Sequence, residues 1–209
     1  MKTRSTSILA LVFVVSLFAP QTFASCTPGG ACNGFIVGGV CHSYNYLSNW
    51  NFDSSCSWTY GSGASRKTDN GICGGTYSTN YAQLAYNGSP TRTTRLYQTV
   101  YIPTSSETGY VSSNTSWVVG YHVDIATDTF DHGETLQVRV LNASTNAVIA
   151  SGPVYYGDTT DPDCRADSFS FTANLNGVNV KLEVKAVLPD GSEYSVFNVD
   201  DIELDQIIP

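Results

Sequence analysis

The chain has 209 residues and carries eighteen Asp and Glu against ten Lys and Arg, so its formal net charge is −8 at pH 7. The basic residues form no cluster in the sequence, which argues against nucleic acid and anionic membrane surfaces as partners. An acidic balance of this kind keeps a protein soluble. Some of the carboxylates are also candidates for binding a cation.

The first 24 residues have the features of a secretory signal peptide. Lys2 and Arg4 precede an apolar stretch over residues 8–18, and the small residue Ala24 offers a cleavage point before Ser25. The apolar stretch is short for a membrane-spanning helix, and no second hydrophobic segment follows it. We therefore predict an exported protein that is secreted, with no membrane span.

Six cysteines follow the predicted signal peptide, namely Cys26, Cys32, Cys41, Cys56, Cys73 and Cys164. An even number of cysteines in an exported chain predicts disulfides, although the sequence does not choose among the possible pairings. A bridge between Cys56 and Cys73 is one candidate, because it would close the irregular stretch between them. A zinc site is disfavoured because the sequence contains no CxxC pair. Residues 25–48 are rich in Gly and Cys, and we interpret them as a disulfide-rich N-terminal extension.

Apolar and polar side chains alternate along most of the remaining chain, as expected for half-buried β-strands. Along residues 95–102, Leu96 and Ile102 fall on one face, and Tyr97 and Tyr101 fall on the other. Similar patterns occupy residues 81–85, 117–125, 136–140, 178–186 and 194–204, and strand-like segments begin near residues 49–53. No helical stripe and no internal linker is visible. The sequence therefore predicts an all-β, two-sheet antiparallel sandwich.

The last predicted strand contains two consecutive carboxylates, Asp200 and Asp201, between apolar residues. Successive residues of a strand point to opposite faces, so one of the two carboxylates should be buried. A buried carboxylate needs a cation or several hydrogen-bond donors. Calcium binds carboxylate, amide and carbonyl oxygens, and Asn51 and Asp53 would supply some of them if the first and last strands pair. The alternative is that backbone N–H groups at a β-bulge satisfy the aspartates.

Aromatic residues are candidates for sugar contacts, because the chain contains thirteen tyrosines and three tryptophans. Tyr97 and Tyr101 are predicted opposite the core face of their strand, where a ligand can reach them. Tyr155 and Tyr156 are predicted in an irregular, acidic loop that continues to Cys164. For each of these tyrosines the alternative is that the ring only packs on the surface of a sheet.

The sequence contains no recognisable catalytic motif, since both the GxSxG nucleophile elbow and the HExxH zinc motif are missing. His122 falls on the polar side of a predicted strand and His132 falls in a loop. The carboxylates of the polar loops at 124–134 and 158–163 are expected to be solvated. We therefore predict a protein that is not an enzyme. A small secreted hydrolase that uses paired carboxylates is the less favoured alternative.

Three motifs resemble those of secreted jelly-roll carbohydrate-binding modules of the galactose-binding-like type. They are Asn49-Trp-Asn-Phe-Asp53 followed by Trp58, Leu96-Tyr-Gln-Thr-Val-Tyr-Ile-Pro103, and Phe197-Asn-Val-Asp-Asp-Ile-Glu-Leu204. The resemblance covers residues 49–205. It implies a jelly-roll fold and a structural calcium ion, with Asp53 and either Asp200 or Asp201 among the ligands. The cysteine-rich residues 26–73 differ from the usual module.

The predicted organisation is a signal peptide at 1–24, the Cys- and Gly-rich extension at 25–48 and a jelly-roll β-sandwich at 49–209. The expected function is non-catalytic carbohydrate binding, with a polysaccharide or glycan surface as partner and calcium as a structural cofactor. The alternative is a structural or adhesive extracellular protein that lacks sugar specificity and binds a protein partner.

Overall fold

A computed structural model describes residues 34–37, 40–43, 45–68, 72, 79–86, 91–102, 104, 115–125, 133–157, 165–189 and 195–207. Within these ranges all regular elements are strands, and no helix is long and apolar enough to cross a membrane. The strands are β1 (Gly34–Val37), β2 (Val40–Ser43), β3 (Thr59–Tyr60), β4 (Ala64–Lys67), β5 (Tyr81–Tyr86), β6 (Arg92–Tyr101), β7 (Thr115–Ile125), β8 (Thr135–Asn142), β9 (Val148–Tyr156), β10 (Arg165–Ala173), β11 (Asn179–Leu188) and β12 (Ser195–Ile207).

Two five-stranded antiparallel sheets make up the sandwich. The first, which we call the β12 sheet, has the order β10-β7-β12-β5-β4. The second, the β11 sheet, has the order β3-β6-β11-β8-β9, and β1 and β2 form a separate two-stranded hairpin. The predicted all-β, two-sheet antiparallel fold is confirmed.

The alternation of side chains along the strands determines which faces of the two sheets meet. In β11, Val180 and Leu182 are completely buried, whereas Lys181 and Lys185 remain partly exposed. The apolar side of β12, which includes Phe197, is buried in the same core. Burying one large apolar side chain contributes about 1.5–3 kcal/mol. The two inner faces are therefore the main source of stability, and the outer faces remain available for other roles.

The segment that precedes β3 is joined to both sheets of the sandwich. Leu47 is buried in the core. The backbone of Ser48 exchanges two hydrogen bonds with the side-chain amide of Gln98, each 2.8 Å long. Gln98 lies among the apolar residues of β6, so these bonds satisfy a buried polar group and also join the segment to the β11 sheet.

The same segment also contacts the last strand. The backbone N–H of Tyr46 donates to the carbonyl of Leu204 at 2.9 Å, and the N–H of Ile202 donates to the carbonyl of Trp50 at 3.1 Å. These bonds lie beyond the part of β12 that pairs with β5, which ends at Val199. The expected contact between the start of the sandwich and its final strand is present.

The predicted strand near residues 49–53 is wrong, because the backbone turns there. Asn49 and Phe52 have φ angles of 53° and 54°, which belong to the left-handed region and not to a strand. The Asn49 amide donates to the carbonyls of Ser54 and Cys56 at 2.7 and 2.9 Å. An asparagine that bonds to nearby backbone favours a turn over a strand.

Cys56 is the cysteine whose side chain the structure describes, and it is disulfide-bonded. The side chains of the other five cysteines, and the predicted signal peptide, lie outside the described residues. The pairing of Cys56 with Cys73 and the stapling of residues 25–48 therefore stay predictions.

Candidate functional site

A cleft of about 440 Å³ lies on the β12 sheet where β10, β7 and β12 run side by side. Its lining includes Trp50, Gly120, His122, Ser168, Asp201 and Glu203. This volume is within the range of protein sites for small molecules. The cleft combines an aromatic ring with carboxylate, imidazole and hydroxyl groups, which together can contact both an apolar face and the hydroxyls of a ligand.

Gly120 provides the space in the middle of this cleft. Its neighbours Val119 and Tyr121 are buried toward the core, so position 120 faces the other way. The strand register places Gly120 opposite Ser168 of β10 and Glu203 of β12. A Cβ atom added to Gly120 would meet no other atom within 4 Å. The missing side chain therefore leaves an opening between the neighbouring strands.

A β-bulge in β12 directs Asp201 toward this cleft. The register of β12 against β7 shifts between Asp200 and Glu203, and Asp201 has a φ of 48°. Bulges commonly change the direction of a side chain next to a functional site. The Asp201 carboxylate lies 3.2 Å from Nδ1 of His122. The bulge thus forms an acid–imidazole pair in the wall of the cleft.

The carboxylates of the cleft are less acidic than usual. Burial raises the pKa of Asp201, and the nearby imidazole of His122 opposes part of this shift. Burial also raises the pKa of Glu203, and the carboxylates of Asp205 and Asp201 raise it further. The carboxylates therefore lie in a partly desolvated site, where hydrogen bonds to a ligand are stronger than they would be in water.

Asp200, the residue before the bulge, is completely buried. Its Oδ1 accepts a hydrogen bond of 2.8 Å from the backbone N–H of Asp201. Its Oδ2 is buried and has no hydrogen-bond partner among the described residues. Burial raises the pKa of Asp200 to about 8, and the carboxylates of Asp201 and Asp53 contribute to the shift. The bulge therefore satisfies only one of the two oxygens.

Asp53 lies near enough to raise the pKa of this buried carboxylate, and both Asp53 and Asn51 are already hydrogen-bonded. The amides of Asn51 and Asn80 donate to the two carboxylate oxygens of Asp53 at 2.7 and 3.0 Å. The guanidinium of Arg66 donates to the backbone carbonyls of Phe52 and Asp53. Much of the oxygen-donor capacity expected for a cation is thus used by amide and guanidinium donors.

The fit of a calcium ion rests on Asp200 alone. In the part of the chain that the structure describes, no group of three or more His, Cys, Asp or Glu side chains is placed to hold a metal ion. The unpartnered Oδ2 of Asp200 suits a cation, and calcium accepts amide and carbonyl oxygens for the rest of its shell. The predicted ligand set of Asn51, Asp53, Asp200 and Asp201 therefore stays a prediction. Within that set, the carboxylate of Asp201 is paired with the imidazole of His122.

Tyr97 and Tyr101 lie on the outer face of the β11 sheet, away from the cleft. Tyr101 is 47% exposed. Tyr97 is partly buried, and the Lys181 ammonium lies 5.2 Å from the centre of its ring. Their predicted position opposite the apolar face of β6 is confirmed by the burial of Leu96 on the other side.

Tyr155 and Tyr156 are not in a loop, because β9 continues through both residues. Tyr155 is only 5% exposed, its hydroxyl donates to Asp167 Oδ2 at 2.6 Å, and it lies 2.9 Å from the hydroxyl of Tyr121. Burial, together with these two side chains, raises the pKa of Tyr155. The loop prediction is wrong because the strand extends past the apolar pattern. Tyr155 therefore packs between the sheets and offers no exposed ring, whereas Tyr156 is exposed at the strand end.

Sequence reasoning did not select Trp50, Gly120, Ser168 or Glu203 as site residues. Gly120 could have indicated the site, because a glycine inside an otherwise regular strand often marks a place where a ligand or another chain segment approaches. The other three residues come from distant parts of the sequence, and only the strand register brings them together.

Several solved structures have the same fold. The module TmCBM61, solved in complex with β-1,4-galactotriose, is 14% identical to this chain and gives a TM-score of 0.54. The match covers 79% of this chain and 100% of the TmCBM61 chain. The enzymatically active domain of tailspike protein 4 from bacteriophage CBA120 is 12% identical over 78% of this chain, with a TM-score of 0.53, and the match covers 22% of that protein. The arabinose-bound α-L-arabinofuranosidase MgGH51 is 13% identical over 78% of this chain, with a TM-score of 0.52, and 26% of that enzyme is covered.

Protein-family models and curated proteins give no match to the sequence. At these low identities the structural likeness shows the fold. The chain is a jelly-roll β-sandwich of the kind found in carbohydrate-binding modules, as its three sequence motifs predicted.

Proposed function

We propose that the protein is a non-catalytic carbohydrate-binding protein that takes a sugar ring in the cleft above Gly120. The observation that carries the proposal is the position of Trp50 in the same cleft as Asp201 and Glu203. An indole ring offers a flat apolar surface to the C–H face of a sugar. Carboxylates accept hydrogen bonds from neighbouring hydroxyls, and hydrogen bonds to charged groups are the stronger ones. The fold shared with a galactotriose-bound module supports this function.

Binding to immobilised polysaccharides, followed by affinity electrophoresis, tests the proposal. We expect at least one neutral polysaccharide to retain the protein and Glu203→Gln to weaken that retention. Asp124→Asn is the matched control, because it removes one carboxylate from β7 on the same sheet but outside the cleft lining. Retention by no glycan, combined with binding to a protein partner, would replace the proposal with the adhesive alternative.

A hydrolase is the second candidate, because three carboxylate residues line the cleft, Asp167, Asp201 and Glu203, and Glu203 has a raised pKa. A carboxyl group with a raised pKa can act as a general acid. Incubation with the retained polysaccharide separates the two functions. Release of reducing ends that Glu203→Gln abolishes would establish hydrolysis, whereas retention without turnover supports binding alone.

We also propose that a calcium ion binds at Asp200 and that the protein acts outside the cell. The ion would sit at Oδ2 of Asp200, beside Asp53, and would neutralise the buried negative charge. Its role would be structural, since it would join the segment around residues 50–53 to the final strand. The extracellular location rests on the predicted signal peptide. Addition of EDTA tests the ion through the melting temperature, and N-terminal sequencing of the exported protein tests cleavage after Ala24.

A further inference from the structure

The outer face of the β11 sheet carries a concentration of positive charge. Five of the ten Lys and Arg of the chain lie on the strands of this sheet, whereas Glu183 is their single acidic residue. The strands of the β12 sheet carry the opposite balance, with six acidic residues against three basic ones, namely Asp124, Asp167, Asp200, Asp201, Glu203 and Asp205 against Arg66, Lys67 and Arg165. Within the strands that the structure describes, the β11 sheet is therefore basic on balance and the β12 sheet acidic.

The strand register brings four of these cations together in a group that we call the basic face, Arg95, Arg139, Lys181 and Lys185. Lys185 on β11 lies opposite Arg95 on β6. Arg139 on β8 lies opposite Glu183 on β11. Lys181 and Lys185 are four residues apart on one strand, so about 13 Å separates their backbones. The sequence shows no cluster of basic residues because the four are far apart along the chain, and they become neighbours only through the strand register.

Glu183 holds the two arginines in place. Its side chain is only 3% exposed, and its Oε2 lies 3.2 Å from Nε of Arg95. Its Oε1 accepts a hydrogen bond of 3.1 Å from Nε of Arg139. One buried carboxylate thus orients two guanidinium groups and neutralises only one of them. The basic face keeps an excess of positive charge together with the two lysines.

Aromatic rings lie in the same face. Tyr97 is opposite Glu183 in the register and beneath the ammonium of Lys181. Lys181 also donates to the side chain of Asn146, which fixes its position over the ring. The exposed Tyr101 lies two residues beyond Thr99, which is opposite Lys181. Fixed cations beside tyrosine rings form a surface that can contact both the charged groups and the ring faces of a ligand.

We propose that the basic face binds an acidic polysaccharide, a sugar chain that carries carboxylate or sulfate groups. This inference rests on the proposed carbohydrate-binding function and adds a second site with a different ligand class. Charge complementarity favours a polysaccharide over a nucleic acid. Duplex DNA carries one charge about every 1.7 Å, and its binders present dense basic patches. Four cations spread over three strands, two of them sharing Glu183, match the sparser charges of an acidic sugar chain.

The test compares polygalacturonate with its methyl ester, which has the same backbone without the charge, and includes chondroitin sulfate as a sulfated probe. We expect polygalacturonate or chondroitin sulfate to bind more tightly than the methyl ester, and the difference to shrink at physiological salt because the charges are screened. Each of Lys181→Gln and Lys185→Gln should weaken this binding about two- to five-fold at low salt.

Lys67→Gln is the matched control, because it removes one lysine from β4 on the other sheet. Binding of the acidic probes should stay within about two-fold of wild type in this variant. Equal losses in Lys67→Gln and Lys185→Gln would overturn the inference, since the effect would then follow net charge alone. Tighter binding of a single-stranded oligonucleotide than of any acidic polysaccharide would also overturn it in favour of nucleic acid.

The two proposals fail in distinguishable ways. If neutral glycans bind and the acidic probes show no preference, the basic face has no ligand of this class and the cleft proposal survives. If the acidic probes bind but Gly120→Val abolishes this binding while Lys181→Gln and Lys185→Gln do not, the acidic sugar occupies the cleft and the inference is wrong. Retention by no polysaccharide of either kind overturns both.

Discussion

Gly120 on β7 lies directly opposite Glu203 on β12, and no atom approaches within 4 Å of the point where a side chain at position 120 would begin. The cleft therefore owes its space to the absence of a side chain at position 120, next to the bulge in β12. This arrangement separates binding from folding, because the space can be filled without disturbing the core.

The first prediction concerns Gly120→Val. We expect polysaccharide affinity to fall at least about ten-fold, because the new side chain occupies the space next to Glu203. The melting temperature should stay the same or rise slightly, because valine favours strands and glycine costs backbone entropy. Affinity electrophoresis and thermal melts measure the two effects, and Gly120→Ala provides a smaller step. Unchanged affinity in a folded Gly120→Val protein would move the sugar site elsewhere.

The second prediction concerns Asp200→Asn, which removes the buried charge at nearly constant shape. In EDTA at pH 8 we expect the variant to be more stable than wild type by about 1 kcal/mol or more, because a buried charged group without a partner is costly. With calcium added the order should reverse, since only the carboxylate attracts the ion. Chemical denaturation in both buffers gives the two free energies of unfolding. If calcium leaves wild-type stability unchanged, Asp200 is simply a buried protonated acid.

The third prediction is a pH dependence in calcium-free buffer. The pKa of Asp200 rises from 3.8 to about 8 on folding, so the folded protein binds a proton that the unfolded chain releases. The resulting stability is complete below pH 3.8 and is lost as pH rises through about 8. We expect the denaturation midpoint of wild type to fall steadily between about pH 4 and pH 8 and to level off above that range. Asp200→Asn should show a flatter profile, and equal slopes in both proteins would contradict the shift.

The fourth prediction concerns Glu183→Gln. We expect it to destabilise the protein by about 1–2 kcal/mol, because two guanidinium groups lose their shared carboxylate. The cost is moderated by the exposure of Arg95, whose side chain is 49% accessible. The same change should strengthen binding of acidic polysaccharides, since it removes the single negative charge of the basic face. Loss of both stability and acidic-sugar affinity would contradict this prediction. It would mean that binding depends on the orientation of Arg95 and Arg139 by Glu183 more than on the net charge of the basic face.

The fifth prediction concerns Tyr155→Phe. Loss of the hydroxyl removes the hydrogen bond to Asp167 Oδ2 and the contact with the hydroxyl of Tyr121, and we expect a cost of about 1–2 kcal/mol. Sugar affinity should stay within about two-fold of wild type, because Tyr155 itself does not line the cleft, although its partners Asp167 and Tyr121 do. Chemical denaturation and affinity electrophoresis measure the two effects, with Tyr156→Phe at the exposed neighbour as the control. A specific loss of sugar affinity in Tyr155→Phe would contradict this prediction and show that the Tyr155 hydroxyl positions Asp167 or Tyr121 for binding.

Much of the fold could be predicted because several strands have one face in the core. The alternation of Val180 and Leu182 with Lys181 follows directly from that burial, and so does the position of Tyr97 opposite Leu96. Local hydrogen bonds are harder to anticipate. The turn at Asn49 depends on its side chain reaching the carbonyl of Cys56, and no hydrophobic pattern reports such a bond.

The candidate sites were harder to predict because they depend on strand register. Trp50, Gly120 and Glu203 come from three separate segments, and their meeting depends on the bulge after Asp200. Arg95 and Arg139 are likewise joined only through Glu183 on the strand between them. Sequence spacing does not contain this information. By contrast, the buried Asp200 was accessible to sequence reasoning, because its charge interrupts an apolar strand.

The backbone bonds from Tyr46 and Trp50 to β12 have a further consequence for self-association. They occupy the stretch of β12 beyond Val199, where β5 has ended and a row of peptide groups would otherwise face solvent. An uncovered strand edge is a template for pairing with another chain. Residues 45–50 therefore cover this edge and hinder its pairing with another chain. We expect a proteolytic cut within them to expose unpaired peptide groups of β12 and to promote aggregation, while the strands of both sheets stay paired.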